Sequence, residues 1–194
     1  MKKFSKRQVK KLVGLLTFLI SGILVALTQM PSQSSPRQLA SINQPGLYQV
    51  TQIFDGDTIA VNMDGLEEKV RMIGVDTPET KDPRKNVQCF GIQASEFTKS
   101  LIGDYSVRLE ADPENSNRDR YGRLLRYVFI PDGTMVNAEI IKQGYGFAYT
   151  SFPFTKIDEF KSYEAIARDQ NRGLWKSCNP VIDEKGYIKS NDAN

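Results

Sequence analysis

The sequence predicts a mainly β, α+β domain: a five-stranded Greek-key barrel of the OB type, with three α-helices placed between and after the strands. Three observations lead there. From Leu47 onward, short runs rich in β-branched and aromatic residues are punctuated by Gly, Asp and Pro. Three stretches carry apolar residues at helical spacing. Setting aside a leader of about 40 residues, roughly 150 remain, enough for one domain with a sizeable core.

The elements follow in order. Residues 1–11 hold Lys2, Lys3, Lys6, Arg7, Lys10 and Lys11 and no acid. They precede "LVGLLTFLISGILVALT", 17 uncharged and mostly apolar residues at 12–28. That is the layout of a signal peptide or signal anchor, so residues 1–28 are expected to be a leader. The basic end stays cytoplasmic, which places the rest outside the cytoplasm, secreted or held to the membrane through residues 12–28. Residues 29–45, rich in Pro, Ser and Gln, have the composition of a flexible linker. "LYQVTQIF" and "TIAVNM" read as strands around the turn "DGD" at 55–57. Asp64-Gly65 signals a hairpin into "EEKVRMIGV", giving a three-stranded meander over residues 47–75. After the polar loop "ETKDPRKNVQCF" comes a helix at 91–103, with Ile92, Phe97, Leu101 and Ile102 as its apolar residues and Gly103 at its end. "YSVRLEAD" is a strand, "PENSNRDRYG" a loop, and "RLLRYVFI" a strand stopped by Pro131-Asp132-Gly133. A short helix over 134–144 ends at Gly144, and a longer one over 155–171 turns Phe160, Tyr163, Ile166 and Ala167 inward. The domain is expected to span 46–178. Residues 179–194 are polar and are expected to form a loose tail.

The formal net charge of +3 is misleading. Without the six cations of residues 1–11, 20 basic residues face 23 acidic ones. Overall basicity therefore gives little support for nucleic-acid binding, and any contact with phosphate must use local cations or a metal. The histidine count is zero, which removes Ser-His-Asp triads, Cys-His pairs and His-ligated zinc. Two cysteines cannot make a four-thiolate zinc site. Catalysis has to come from carboxylates, Arg, Lys, Tyr, water and a hard cation.

Asp57 enters the second strand and Asp76 leaves the third, so the meander can bring them to one rim of the barrel. Two adjacent carboxylates repel unless one is protonated or a cation lies between them. An irregular, oxygen-only site suits calcium best. Arg71, on the same predicted strand as Asp76, shares a face with Ile73 and Val75 by alternation, and a buried Arg needs an anion. Arg123 opens a later strand. Two guanidiniums beside a metal suit a phosphate that gains charge in its transition state. Glu79, behind Pro78, can take a proton from water. This reads as metal-assisted phosphodiester hydrolysis. The residues leave a second arrangement open, in which Arg71 and Arg123 are structural ion-pair partners of Asp76 and Glu79.

"DGDT" at 55–58, "RMIGVDTPET" at 71–80, "FGIQASEFTK" at 90–99, "DRYGRLLRYV" at 119–128 and "MVNAEIIKQG" at 135–144 resemble, in order and spacing, the staphylococcal nuclease (thermonuclease) family. The resemblance covers about residues 47–175. It implies an OB barrel with three helices and a calcium-dependent nuclease acting on DNA and RNA, with water attacking phosphorus to leave 3′-phosphate products. By the same resemblance Asp57 and Asp76 match the calcium carboxylates and Thr77 the residue whose backbone carbonyl completes the site. Arg71 and Arg123 match the arginines that hold the phosphate and its transition state, and Glu79 the general base. Tyr121 matches a tyrosine at the nucleotide's terminal phosphate and Tyr149 one flanking the base. Lys81, Arg84 and Lys85 lie in what resembles the loop that approaches nucleic acid.

The chain departs from the type member in "TSFPFTKIDEF" before the third helix, and in Cys89 and Cys178. Outside the cytoplasm disulfides persist, so these two are expected to pair and pin the C-terminal tail to the barrel. Two other functions suit an OB barrel. A catalytically silent OB module binding single-stranded nucleic acid at the cell surface would not need the intact acid set. An oligosaccharide-binding module leaves Arg71, Glu79 and Arg123 unexplained. Nothing in the sequence indicates an oligomer or a protein partner.

Overall fold

A computed structural model describes residues 46–80, 87–184 and 188–192. The expected leader and linker, and the loop cations Lys81, Arg84 and Lys85, lie outside the described residues.

Five strands close a barrel: β1 (Leu47–Ile53), β2 (Thr58–Met63), β3 (Leu66–Met72), β5 (Ser106–Glu110) and β6 (Leu124–Phe129). Their order is β1-β2-β3-β6-β5, with β5 returning to β1. All pairings are antiparallel except β3 with β6, which closes the barrel in parallel. Ile59, Val61, Val70, Met72, Val107 and Val128 fill the interior. Ile59, Ala60 and Val61 are all fully buried, so β2 is covered on both faces rather than alternating.

The helices are α1 (Gly91–Ile102), α2 (Val136–Lys142) and α3 (Ile157–Asp169), with a one-turn α4 (Leu174–Ser177). Of the apolar residues expected on α1, Ile102 is buried and Phe97 and Leu101 pack against the core, but Ile92 is exposed, and the small residues Gly91, Ala94 and Thr98 are buried instead. Small residues there let the helix sit close enough for the Thr98 hydroxyl to donate to the Gly56 carbonyl at 2.6 Å. On α3, Phe160 and Ala167 are buried as expected, but Ile166 is exposed.

The largest correction concerns the third strand. β3 stops at Met72, and a separate strand β4 (Val75–Asp76) pairs with β7 (Phe147–Ala148). The break falls at Gly74, whose φ is +72°. A Cβ on Gly74 would meet rings of Phe154 and Phe160 at 2.8 Å, so the turn needs a left-handed residue without a side chain. Arg71 and Asp76 are thus on different strands, and the inferred shared face of Arg71, Ile73 and Val75 does not hold.

The expected loose tail is also corrected. β8 (Val181–Ile182) pairs with β9 (Ile188–Lys189), and the chain beyond β9 bridges back to Gln88. Cys89 and Cys178 form a disulfide, with Cα atoms 5.9 Å apart.

Candidate active site

The turn between β1 and β2 builds the first part of the site. The Thr58 carbonyl accepts from the Phe54 amide at 2.9 Å, and the Asp55 carboxylate accepts from the Asp57 amide at 3.1 Å. A Cβ on Gly56 would meet Thr77 at 2.7 Å, so only glycine lets this turn rest against the start of the Thr77-Pro78 segment. That contact places the Asp57 carboxylate against Thr77, whose amide donates to it at 2.7 Å and whose hydroxyl donates at 3.0 Å. Thr58 donates to its other oxygen at 3.1 Å. Asp57 is 3% exposed.

Arg71 stands opposite Thr58 in the β2–β3 register, which sets its guanidinium beside Asp57. It pairs with the Asp57 carboxylate and with Asp76, the latter at 2.9 Å. The turn at Gly74 makes the second contact possible. Residues five apart on one strand would lie about 17 Å apart and on opposite faces.

Arg123 is held differently. Its Nε donates to Asp119 at 2.7 Å, and the other oxygen of Asp119 accepts the backbone amides of Tyr121 at 2.9 Å and Arg123 at 3.0 Å. Burial raises the cost of charge on Asp119, but these hydrogen bonds outweigh it and hold the carboxyl below its ordinary value. The guanidinium lies 5.5 Å from the ring centre of Tyr121, which is exposed.

Asp57, Arg71, Asp76, Thr77, Glu79 and Arg123 line one cavity of about 190 Å³, together with Asp55 and Pro78. Arg71, Asp76 and Arg123 also border a larger groove of about 880 Å³, which Tyr121 and Tyr149 line further out. The six central positions expected from the sequence therefore converge, with both tyrosines alongside. Of the alternative ion pairs, Arg71 does bond Asp76, and Arg123 pairs with Asp119.

Sequence reasoning missed two groups. Asp55 sits in the same "DGD" turn as Asp57, and that second acid was the available signal. Burial pushes its carboxyl up, Arg71 and Thr58 pull it down, and the charge of Glu79 adds to the rise. Asp119 opens the quoted "DRYGR", but its role depends on the loop closing over four residues.

The donor set fits a hard cation. The cavity presents carboxylate, hydroxyl and carbonyl oxygens, and no thiolate or imidazole. Four carboxylates face two guanidiniums, an excess of negative charge that suits a divalent ion. Among the described residues no three acidic side chains stand close enough to share one ion, and Asp57 and Asp76 both turn toward Arg71. Two carboxylates, a backbone carbonyl and water are what this chain can offer such an ion.

Known proteins resemble this chain in sequence. The family model described as Staphylococcal nuclease homologue matches residues 69–177. The chain is 36% identical over 172 residues to a thermonuclease of Staphylococcus hyicus, covering 87% of this chain and 100% of that protein. It is 41% identical over 137 residues to a thermonuclease of Staphylococcus intermedius, covering 70% and 80% respectively. It is 40% identical over 151 residues to the endonuclease YncB of Bacillus subtilis, covering 76% of this chain and 70% of that one. Full-length likeness to a thermonuclease, joined to a five-stranded barrel with its acids and arginines at one rim, makes this chain a member of the staphylococcal nuclease family.

Proposed function

We propose that this chain is an exported, calcium-dependent nuclease that hydrolyses phosphodiester bonds of DNA and RNA to 3′-phosphate products. Its standing as a nuclease, a hydrolase of phosphodiester bonds, follows from the family and from relatives named thermonuclease and endonuclease. The finer reading rests on one observation: four carboxylates and two guanidiniums share a cavity of about 190 Å³ beside a long groove.

Asp57, Asp76 and the Thr77 carbonyl would hold the calcium, with Asp55 adding negative charge from the same turn. A calcium ion held there would supply positive charge that favours the negative charge growing on the phosphate oxygens. Glu79 takes a proton from the attacking water. Arg71 and Arg123 bind the phosphate and gain strength as its charge grows, which lowers the barrier. Tyr121 and Tyr149 flank the nucleotide in the groove, and Lys85 meets the nucleic-acid backbone. Export rests on the six cations of residues 1–11 and the apolar run at 12–28.

The test is cleavage of single-stranded DNA and of RNA in calcium, then in excess chelator. The expected result is cleavage of both in calcium, 3′-phosphate ends, and none in chelator. Cleavage that survives chelation would overturn the metal role. Binding without cleavage in calcium would make the chain a silent nucleic-acid-binding module.

A further inference from the structure

The segment that carries Glu79 is closed at its neck by one residue. The Glu79 amide donates to the side-chain oxygen of Gln88 at 2.8 Å, and the Glu79 carbonyl accepts from the Gln88 amide at 2.9 Å. The first turn of α1 packs against the same point. A Cβ on Gly91 would meet Thr80 at 2.7 Å and the Glu79 carbonyl at 2.9 Å.

Gln88 is in turn held from the other end of the chain. Gln88 and Asp192 form an antiparallel bridge. The Cys89 amide donates to the Asn191 carbonyl at 2.7 Å, and the buried Ser190 hydroxyl donates to the Cys89 carbonyl at 2.7 Å. The Gln88 side-chain amide reaches the Ser190 carbonyl at 3.4 Å. The Cys89–Cys178 disulfide ties the same strip to the end of α4. Asn179 then donates its amide to the Asn191 side chain at 3.1 Å. The family match ends at residue 177, so residues 188–192 add this support from outside the matched region.

From this chain of contacts we infer that the C-terminal segment 188–192, stapled through Cys89–Cys178, is a positioning device for Glu79 acting through Gln88. The inference rests on the reading of Glu79 as the base. A base must stay within hydrogen-bond reach of the water it deprotonates, and small displacements cost rate. Two backbone-directed hydrogen bonds from one residue fix where Glu79 starts. The docked C-terminal strip fixes that residue. Gln88 touches neither substrate nor metal in this scheme, so it is a positioning residue.

Four full-length variants test it: Gln88→Leu, Gln88→Glu, Cys89→Ser with Cys178→Ser, and Gln88→Leu placed on Glu79→Gln. Amide hydrogen exchange gives a readout independent of activity. Exchange at Glu79 is expected to quicken at least about tenfold in Gln88→Leu and in the double serine variant, while Val61 and Val70 in the barrel keep their protection. In Gln88→Leu kcat is expected to fall about ten- to a hundredfold with KM nearly unchanged. Gln88→Glu keeps an acceptor for the Glu79 amide and should retain both protection and most of kcat. On the Glu79→Gln background, Gln88→Leu should cost nothing more. Unchanged exchange at Glu79 in Gln88→Leu overturns the inference. So does a kcat loss that persists in full on the Glu79→Gln background. If Glu79→Gln alone cleaves at the parent rate, the base reading falls instead, and with it the positioning role, whatever the exchange shows about the clamp.

Discussion

Arg71 and Arg123 face one cavity but are restrained by different partners, and the difference predicts different mutant behaviour. Arg71 is bound to two carboxylates of the cavity itself, Asp57 and Asp76. Arg123 is aimed by Asp119, outside that cavity, which also caps the loop through two backbone amides. Arg123→Ala therefore leaves Asp119 with partners and should change stability by less than about 1 kcal/mol. Its effect should fall on kcat, by about 10²- to 10³-fold, or ~2.7–4 kcal/mol of barrier. Asp119→Asn keeps an acceptor for the backbone amides but weakens the hold on Arg123, and should cost about tenfold, ~1.4 kcal/mol. Steady-state cleavage kinetics with urea unfolding of each variant checks both. An Arg123→Ala loss below tenfold would mark that arginine as structural. Zero histidines narrowed the chemistry to oxygen and guanidinium groups, and the family resemblance of "DGDT", "RMIGVDTPET" and "DRYGR" made Asp57, Arg71, Asp76, Glu79 and Arg123 legible. Asp119 and Gln88 were not legible, since each works through a loop closure that spacing alone does not specify.

At the scale of elements, the strands and helices were readable and one junction was not. "VRMIGV" reads as a continuous buried strand because four of its six residues, Val70, Met72, Ile73 and Val75, suit one. The chain instead turns at Gly74, and the turn carries Asp76 back to Arg71. Strand periodicity has no term for such a break, and the glycine itself was its only local sign. The exposed Ile92 has a related cause. Helical spacing finds an apolar face, but close approach to a barrel selects small residues such as Ala94. Gly74→Ala tests the junction. Its Cβ would press on Phe154 and Phe160 in a left-handed backbone. Strain and overpacking together should cost about 2–4 kcal/mol, read by urea unfolding. Cleavage should fall as well, because Asp76 lies two residues beyond. A cost under about 1 kcal/mol would mean that the rings yield and the junction tolerates a side chain.

At the scale of the whole molecule, charge and closure work together. Beyond residue 11 the chain carries more acids than bases, and the cavity concentrates that excess. The ordered C-terminal strip was hidden from sequence reading, because β8 and β9 are two residues each and too short to show alternation. Its covalent staple was expected from cellular context alone, since the resembled type member lacks both cysteines. The acidic rim has a consequence for stability that can be measured without substrate. Repelling carboxylates held together by folding favour any state in which a cation binds them, and the unfolded chain does not assemble that site. Calcium should therefore raise the melting midpoint, and at a hundred times its Kd the gain should reach about 2.7 kcal/mol, some 5–10 °C for a chain of this size. Asp57→Asn should abolish most of that rise, whereas Arg123→Ala should keep it, since the proposal assigns that side chain to phosphate and not to metal. Calorimetry of the three proteins across a calcium series separates the cases. A midpoint indifferent to millimolar calcium, or an equal shift in Asp57→Asn, would remove Asp57 from the proposed metal site.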